Sequence, residues 1–171
     1  MMFLKTYVRK MVGGNAVPKA AAPSSILLAG VGASLAIGAA AELGAVFETL
    51  VLMAPFGASC FLAFAVPDSP LAQPRNIVFG HLISTAVGLI FLMTLGDGPL
   101  SMALAVGVAV VLMQGARAGH PPAGADPLVV LAIHPSWGFL VFPGLAGALV
   151  VVGIALIFNN LRPGVTYPKY W

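Results

Sequence analysis

Six apolar runs divide the chain, at residues 25–43, 48–66, 77–95, 99–117, 122–135 and 138–158, with polar and turn-forming residues gathered in short breaks between them. Several are close to the length at which a helix crosses the bilayer core. The fifth run starts at Pro122 and is short, as expected of a half-helix or of a span with an unwound lead-in. Ahead of the first run, MMFLKTYVRKMV places Phe3, Leu4, Tyr7, Val8 and Met11 on one helical face and Lys5, Arg9 and Lys10 on others. That pattern predicts a short helix lying on the inner leaflet. After the last run, RPGVTYPKYW carries the aromatic and basic residues of a membrane surface. The expected organisation is an interfacial segment at 1–24, one transmembrane domain at 25–160 and a tail at 161–171.

Composition fits this reading. Of the 171 residues, 60% are hydrophobic and only 8% charged, against about 25% charged in soluble domains. Mean hydropathy is +1.02. The fold class is therefore all-α and polytopic in the membrane. No cleavable leader is expected, because the N-terminus is basic and no short apolar core follows Met1 directly. The single Cys60 lies within an apolar run, which excludes a disulfide and argues against a thiolate metal site.

The net charge of +3 would point to nucleic acid only if the basic residues shared a soluble face, and they are dispersed among short loops. Orientation explains them better. With a cytoplasmic N-terminus and all six runs crossing, the inner side collects Lys5, Arg9, Lys10, Lys19, Arg75, Arg117, Arg162 and Lys169, which is every basic residue. The outer connections, near Glu42, Glu48, Asp97 and His134, hold no Lys or Arg. This is a complete positive-inside bias. A four-span arrangement would move Arg75 and Arg117 outside. Six spans with both termini cytoplasmic, in a bacterial inner membrane, is the expectation.

The second run contains Pro55-Phe56-Gly57-Ala58-Ser59 and the fifth Pro122-Ala123-Gly124-Ala125-Asp126. Each P-x-G-A leads into an apolar stretch and then a break rich in Pro and Ser. Two groups of three segments follow, the second inverted relative to the first, with Pro/Gly-broken middle helices. Interrupted helices at matching places of inverted repeats are a known transporter plan. Proline removes a donor and breaks the helix before it. The amides of the helix that follows, with its dipole, suit a small anion. Arg117, His120 and Pro121 precede the second break, and Arg75 precedes the third run. His81 lies inside the third run, where an imidazole needs a partner or a watery cavity and could carry a proton. Asp126 is expected to pair with Arg117 or Arg75, to be protonated, or to cap the amides after Pro122.

The stretch from His120 to Ala125, with Ala54–Ala58, Ser69–Asn76 and Gly80-His81, resembles the HPP family of integral membrane proteins, named for its His-Pro-Pro motif. The resemblance covers residues 24–160. Members are implicated in nitrite transport in chloroplasts and cyanobacteria, so the resemblance implies a small-anion carrier. The family is often described with four spans, whereas the charges here favour six. The expectation is a transporter or channel for a small monovalent anion, specifically nitrite. Amides near Gly57, Ala58, Gly124 and Ala125 would hold the ion, with Arg75, Arg117 or His120 supplying positive potential. Protonation of His81 or His120 could couple uptake to a proton.

The alternative is a non-transporting membrane scaffold in which Arg117 and Asp126 pair to lock two helices. An enzyme is not expected: no nucleophile–base spacing is evident, and His81, His120 and His134 fall on different segments, against a shared metal. No cofactor or nucleic-acid partner is expected. Small-residue faces at Gly30–Gly38 and Gly144–Ala148 could pack subunits into a homo-oligomer.

Overall fold

The computed structural model describes residues 2–12 and 14–171, with side chains from Thr6 onward within them. Among these residues every regular element is helical. Helix α1 (Met2–Met11) precedes α2 (Pro23–Val46), α3 (Pro55–Ala65), α4 (Pro74–Leu95) and α5 (Pro99–Gly115). A 3₁₀ turn at Pro121–Ala125 leads into α6 (Asp126–Ile133), and an irregular stretch from Trp137 to Leu145 leads into α7 (Ala146–Asn160). Tyr7, Val8 and Met11 of α1 are exposed. Phe3, Leu4 and Lys5 lie outside the described side chains.

Each of the six sequence runs holds a helix, yet their lengths differ sharply. Three helical stretches are long and apolar enough to cross a membrane: Pro23–Val46, Pro74–Leu95 and Trp137–Asn160. By contrast α3 has 11 residues, about 16 Å of helix, roughly half a bilayer core. The expected span at 48–66 is thus helical only from Pro55, and 50–53 has no regular secondary structure. Likewise α4 begins at Pro74 rather than at 77, which puts Arg75 in its first turn. The cause is the same at both places. Proline's fixed φ and missing N–H favour the first helical position, and α2 and α5 start on proline as well. The sixth run departs from regular helix at Phe142, with φ −127° and ψ 112°, because Pro143 disfavours helical backbone in the residue before it.

Packing interlocks the first and second halves of the chain. Helix α4 packs against α5 and α6, while α7 packs against α2 and α3. One core forms around Phe56, Cys60, Phe64, Ile77, Val130 and Val151, and a second around Val87, Ala105, Ala109, Met113 and Leu131. Helix α4 runs between two chemically different ends. At its start the Arg75 guanidinium donates to Ala116 O at 3.1 Å and lies over the Phe79 ring. At the same end Arg162 donates to Phe64 O at 3.0 Å, and Lys169 pairs with Asp68 at 2.9 Å. Beyond the far end of α4, Asp97 pairs with His134 at 2.9 Å.

The C-terminal tail does more than sit at a surface. The Tyr167 hydroxyl donates to Ala72 O at 2.7 Å, the Lys169 amide donates to Gln73 Oε1 at 2.7 Å, and the Tyr170 hydroxyl contacts Asn76 Oδ1 at 2.9 Å. The tail straps the 70–76 segment against the bundle. Burial pushes the Tyr167 hydroxyl above the ordinary tyrosine range, so it remains a neutral donor.

Candidate functional site

The two short helices are placed head to head. From its proline end α3 runs toward the Arg162 end of the bundle, where Arg162 meets Phe64 O. From Asp126, α6 runs the opposite way, to His134 beside Asp97. Their N-terminal turns meet beside α4, and α3 packs on the Pro121–Ala125 turn. His81 is the eighth residue of α4, which sets it about 10 Å along that helix, well inside a bilayer core.

At this meeting point four polar side chains form a continuous row. Asp126 Oδ2 lies 2.8 Å from His81 Nδ1, His81 Nε2 lies 2.9 Å from Ser59 Oγ, and Ser59 Oγ lies 2.8 Å from His120 Nε2. His120 Nδ1 is 2.8 Å from Leu71 O; a carbonyl only accepts, so this nitrogen carries hydrogen. The Thr85 hydroxyl adds a bond to Asp126 Oδ2 at 3.2 Å. Ser84 donates to Ala123 O and ties the 3₁₀ turn to α4. Ser59, His81 and Asp126 are 0% exposed and His120 is 1% exposed. Asp126 Oδ1 is buried without a hydrogen-bond partner.

The motif pairing gains a geometric meaning here. Ser59 and Asp126 are the fifth residues of the two P-x-G-A copies. They bond opposite nitrogens of one imidazole, His81 Nε2 and His81 Nδ1. Close backbone approach makes this possible. A Cβ on Gly80 would stand 2.6 Å from His120 Cβ, and one on Gly88 would stand 2.9 Å from Pro127 Cα.

The remaining candidates are distributed around the row. Pro55 and Pro122 are buried at the two breaks, and Pro121 and Gly124 line a cavity of about 410 Å³ that His120 also borders. Ala125, half-buried, ends the 3₁₀ turn. Gly57 and Ala58 are exposed, and the Gly57 amide already donates to Ala54 O at 3.2 Å. Arg75 and Arg117 are exposed and outside the row. Asp126 therefore pairs with His81 rather than with either arginine, and its side chain makes no cap bond to α6. The partner is an imidazole on α4, because the arginines sit at the end of the bundle while Asp126 is carried inside by α6. No three His, Cys, Asp or Glu side chains among the described residues converge as a metal site would require.

Sequence reasoning named all four members of the row, quoted Leu71, Asn76 and Gly80 only as parts of family motifs, and missed Ser84 and Thr85. Asn76 supports the row by donating to Gly119 O at 2.9 Å, next to His120. One available signal was spacing. Ser84 and Thr85 stand three and four positions after His81, on the same helical face. A second miss is chemical. Ser59–His81–Asp126 has the hydroxyl–imidazole–carboxylate order of an activated nucleophile, although the hydroxyl is fully buried and shared with a second imidazole.

Comparisons with known proteins agree with a membrane protein. Residues 18–168 match the family described as HPP, transmembrane region. A transmembrane protein of Dictyostelium discoideum is 40% identical over 129 residues, covering 71% of this chain and 45% of that protein. A second from the same organism is 40% identical over 132 residues, covering 72% of this chain and 42% of its own length. The chain thus spans less than half the length of these curated relatives. No solved structure matches. On the match across nearly its whole length, the chain belongs to the HPP family of transmembrane proteins.

Proposed function

We propose that this membrane protein moves a small monovalent anion across the bilayer, nitrite being the specific substrate, at the junction of α3 and α6. The observation that carries the proposal is the head-to-head meeting of two half-helices at a buried polar row. Ionisable side chains at membrane depth are costly and mark pathways for ions or protons. Irregular backbone at that depth is tolerated where it is enclosed by protein or lines a cavity. The exchange of packing partners between α4 and α7 supports two interlocked inverted repeats. Six crossings follow if each half-helix and its irregular lead count as one. The gathering of Arg75, Arg162 and Lys169 at one end supports a cytoplasmic placement for that end. His120 borders the cavity, and Arg75, bonded to Ala116 O, and Arg117 bring positive charge to the loop that leads to His120.

The closed centre favours a second reading. Side chains fill the space between the two breaks, as they would in a scaffold whose polar row locks α3, α4 and α6 together. Flux separates the two readings. Purified protein in liposomes should take up nitrite, and His120→Ala and Arg117→Ala should slow it. Unchanged uptake in both variants would remove those residues from the site. No flux of any small anion would leave the scaffold.

A further inference from the structure

The row at the half-helix junction contains four hydrogen bonds in line, ending on the Leu71 carbonyl. Counting its hydrogens gives a definite result. Ser59 has one hydroxyl hydrogen and faces two imidazole Nε2 atoms. With the hydroxyl aimed along the row rather than at the Pro55 carbonyl, one of those nitrogens accepts from it while the other donates. His120 already spends one hydrogen on Leu71, and the His81–Asp126 link needs one more. A fully bonded row thus carries one proton beyond a carboxylate and two neutral imidazoles. In every such arrangement its net charge is zero, which suits a site buried in hydrocarbon.

That extra proton has three places to be: Asp126 Oδ2, His81 or His120. We infer that the row is a one-proton relay running between Asp126 and His120, and that it couples a proton to the passage of the anion. The coupling rests on the transport reading above, whereas the relay does not. In the first step the O–H bond at Asp126 Oδ2 breaks as N–H forms at His81 Nδ1. Next the His81 Nε2–H bond breaks as O–H forms at Ser59, and the original Ser59 O–H breaks as N–H forms at His120 Nε2. Asp126 is left as carboxylate and His120 as imidazolium, with no electron lost.

Several observations fit a relay better than a static lock. The Pro55 carbonyl, 3.3 Å from Ser59 Oγ, offers the hydroxyl a third acceptor as it turns to reset. The cavity reaches the His120 end. At the opposite end Asp126 Oδ1 is a buried oxygen without a partner, an unfilled acceptor for a proton. The groups around His81 leave little to compete: Ser59 and the apolar Phe56 ring edge from α3, Asp126 from α6, His120 from the loop and Thr85 from its own helix. Cys60, also buried, neighbours Ser59 on α3, and the Tyr167 hydroxyl is committed to Ala72.

The chain's three histidines make the test tractable by nitrogen NMR of ¹⁵N-histidine-labelled protein in bilayers. His81 and His120 should respond to pH together in the wild type, with His120 keeping its Nδ1 hydrogen. Ser59→Ala should separate the two responses, and Ser59→Thr, which retains a hydroxyl, should restore them. Independent titration of His81 and His120 in the wild type would overturn the relay, whatever the protein transports. In parallel, vesicles containing a trapped pH dye and a nitrite probe read coupling. Nitrite uptake should bring protons with it, and Asp126→Asn, which keeps the side-chain shape, should lower the proton flux by about 10²-fold, the scale of one positioned proton-transfer group. Nitrite uptake without protons in the wild type, or unaltered proton flux in a folded Asp126→Asn protein, would overturn the coupling. Absence of nitrite uptake with the histidines still titrating jointly would overturn the transport reading and the coupling, and uphold the relay.

Discussion

Gly80→Ala is the smallest change that should open the polar row without touching any of its members. An added Cβ would lie 2.6 Å from His120 Cβ and 3.3 Å from Ala118 O. Carbon atoms rest at about 3.5–4.0 Å, so the 118–120 loop must retreat by roughly 1 Å. The bonds from His120 to Ser59 and to Leu71, each 2.8 Å, would stretch beyond the usual limit of about 3.2 Å. Overpacking of this kind costs about 1–3 kcal/mol, and a buried polar group left unpaired costs a similar amount. We expect a net loss of about 2 kcal/mol, because the loop can relax toward the adjoining cavity, so that part of each term is recovered. For a chain of this size that is a drop in Tm of about 4–8 °C. Thermal unfolding in detergent, with Gly57→Ala as the control, reads the effect; nothing lies within 4 Å of a Cβ at Gly57. Equal Tm values for Gly80→Ala and the wild type would refute the close approach of α4 to the His120 loop.

Further outcomes are expected elsewhere in the fold. Asn159 donates to Ala63 O at 2.9 Å near the C-terminal end of α3. Asn159→Leu should therefore cost about 1–3 kcal/mol by orphaning that carbonyl, measured by the same thermal assay. Ser59 should resist fluorophosphonate labelling in the folded protein, since the residue is 0% exposed; rapid labelling at Ser59 would show an accessible, activated hydroxyl. Asp97→Asn should change stability by less than about 1 kcal/mol, because the Asp97–His134 pair is solvent-exposed, and a larger loss would place that pair in a structural role.

Much of this architecture was legible in the sequence, and the gaps have physical causes. The apolar runs located every helix from α2 to α7, since a bilayer-spanning segment must be apolar whatever it packs against. Both short helices were marked by proline, and the same rule would have corrected the starts of α3 and α4. Ser59, His81, His120 and Asp126 could each be singled out as polar residues in costly surroundings. Their pairing could not. Whether Asp126 meets an arginine or His81 depends on the depth and rotation of α4 and α6, which are set by contacts such as Gly88 against Pro127. Those contacts join positions dozens of residues apart, and no local pattern encodes them. The tail was read as a surface anchor because aromatic and basic residues suit an interface. The burial of Tyr167 depends instead on an acceptor at Ala72, 95 positions away.

Nitrite uptake into proteoliposomes is the most direct test of the half-helix junction as a transport site. The wild type and Asp97→Asn should take up nitrite, with strong loss in a folded His120→Ala protein. Equal uptake by all three, or none by the wild type, would contradict transport at that junction.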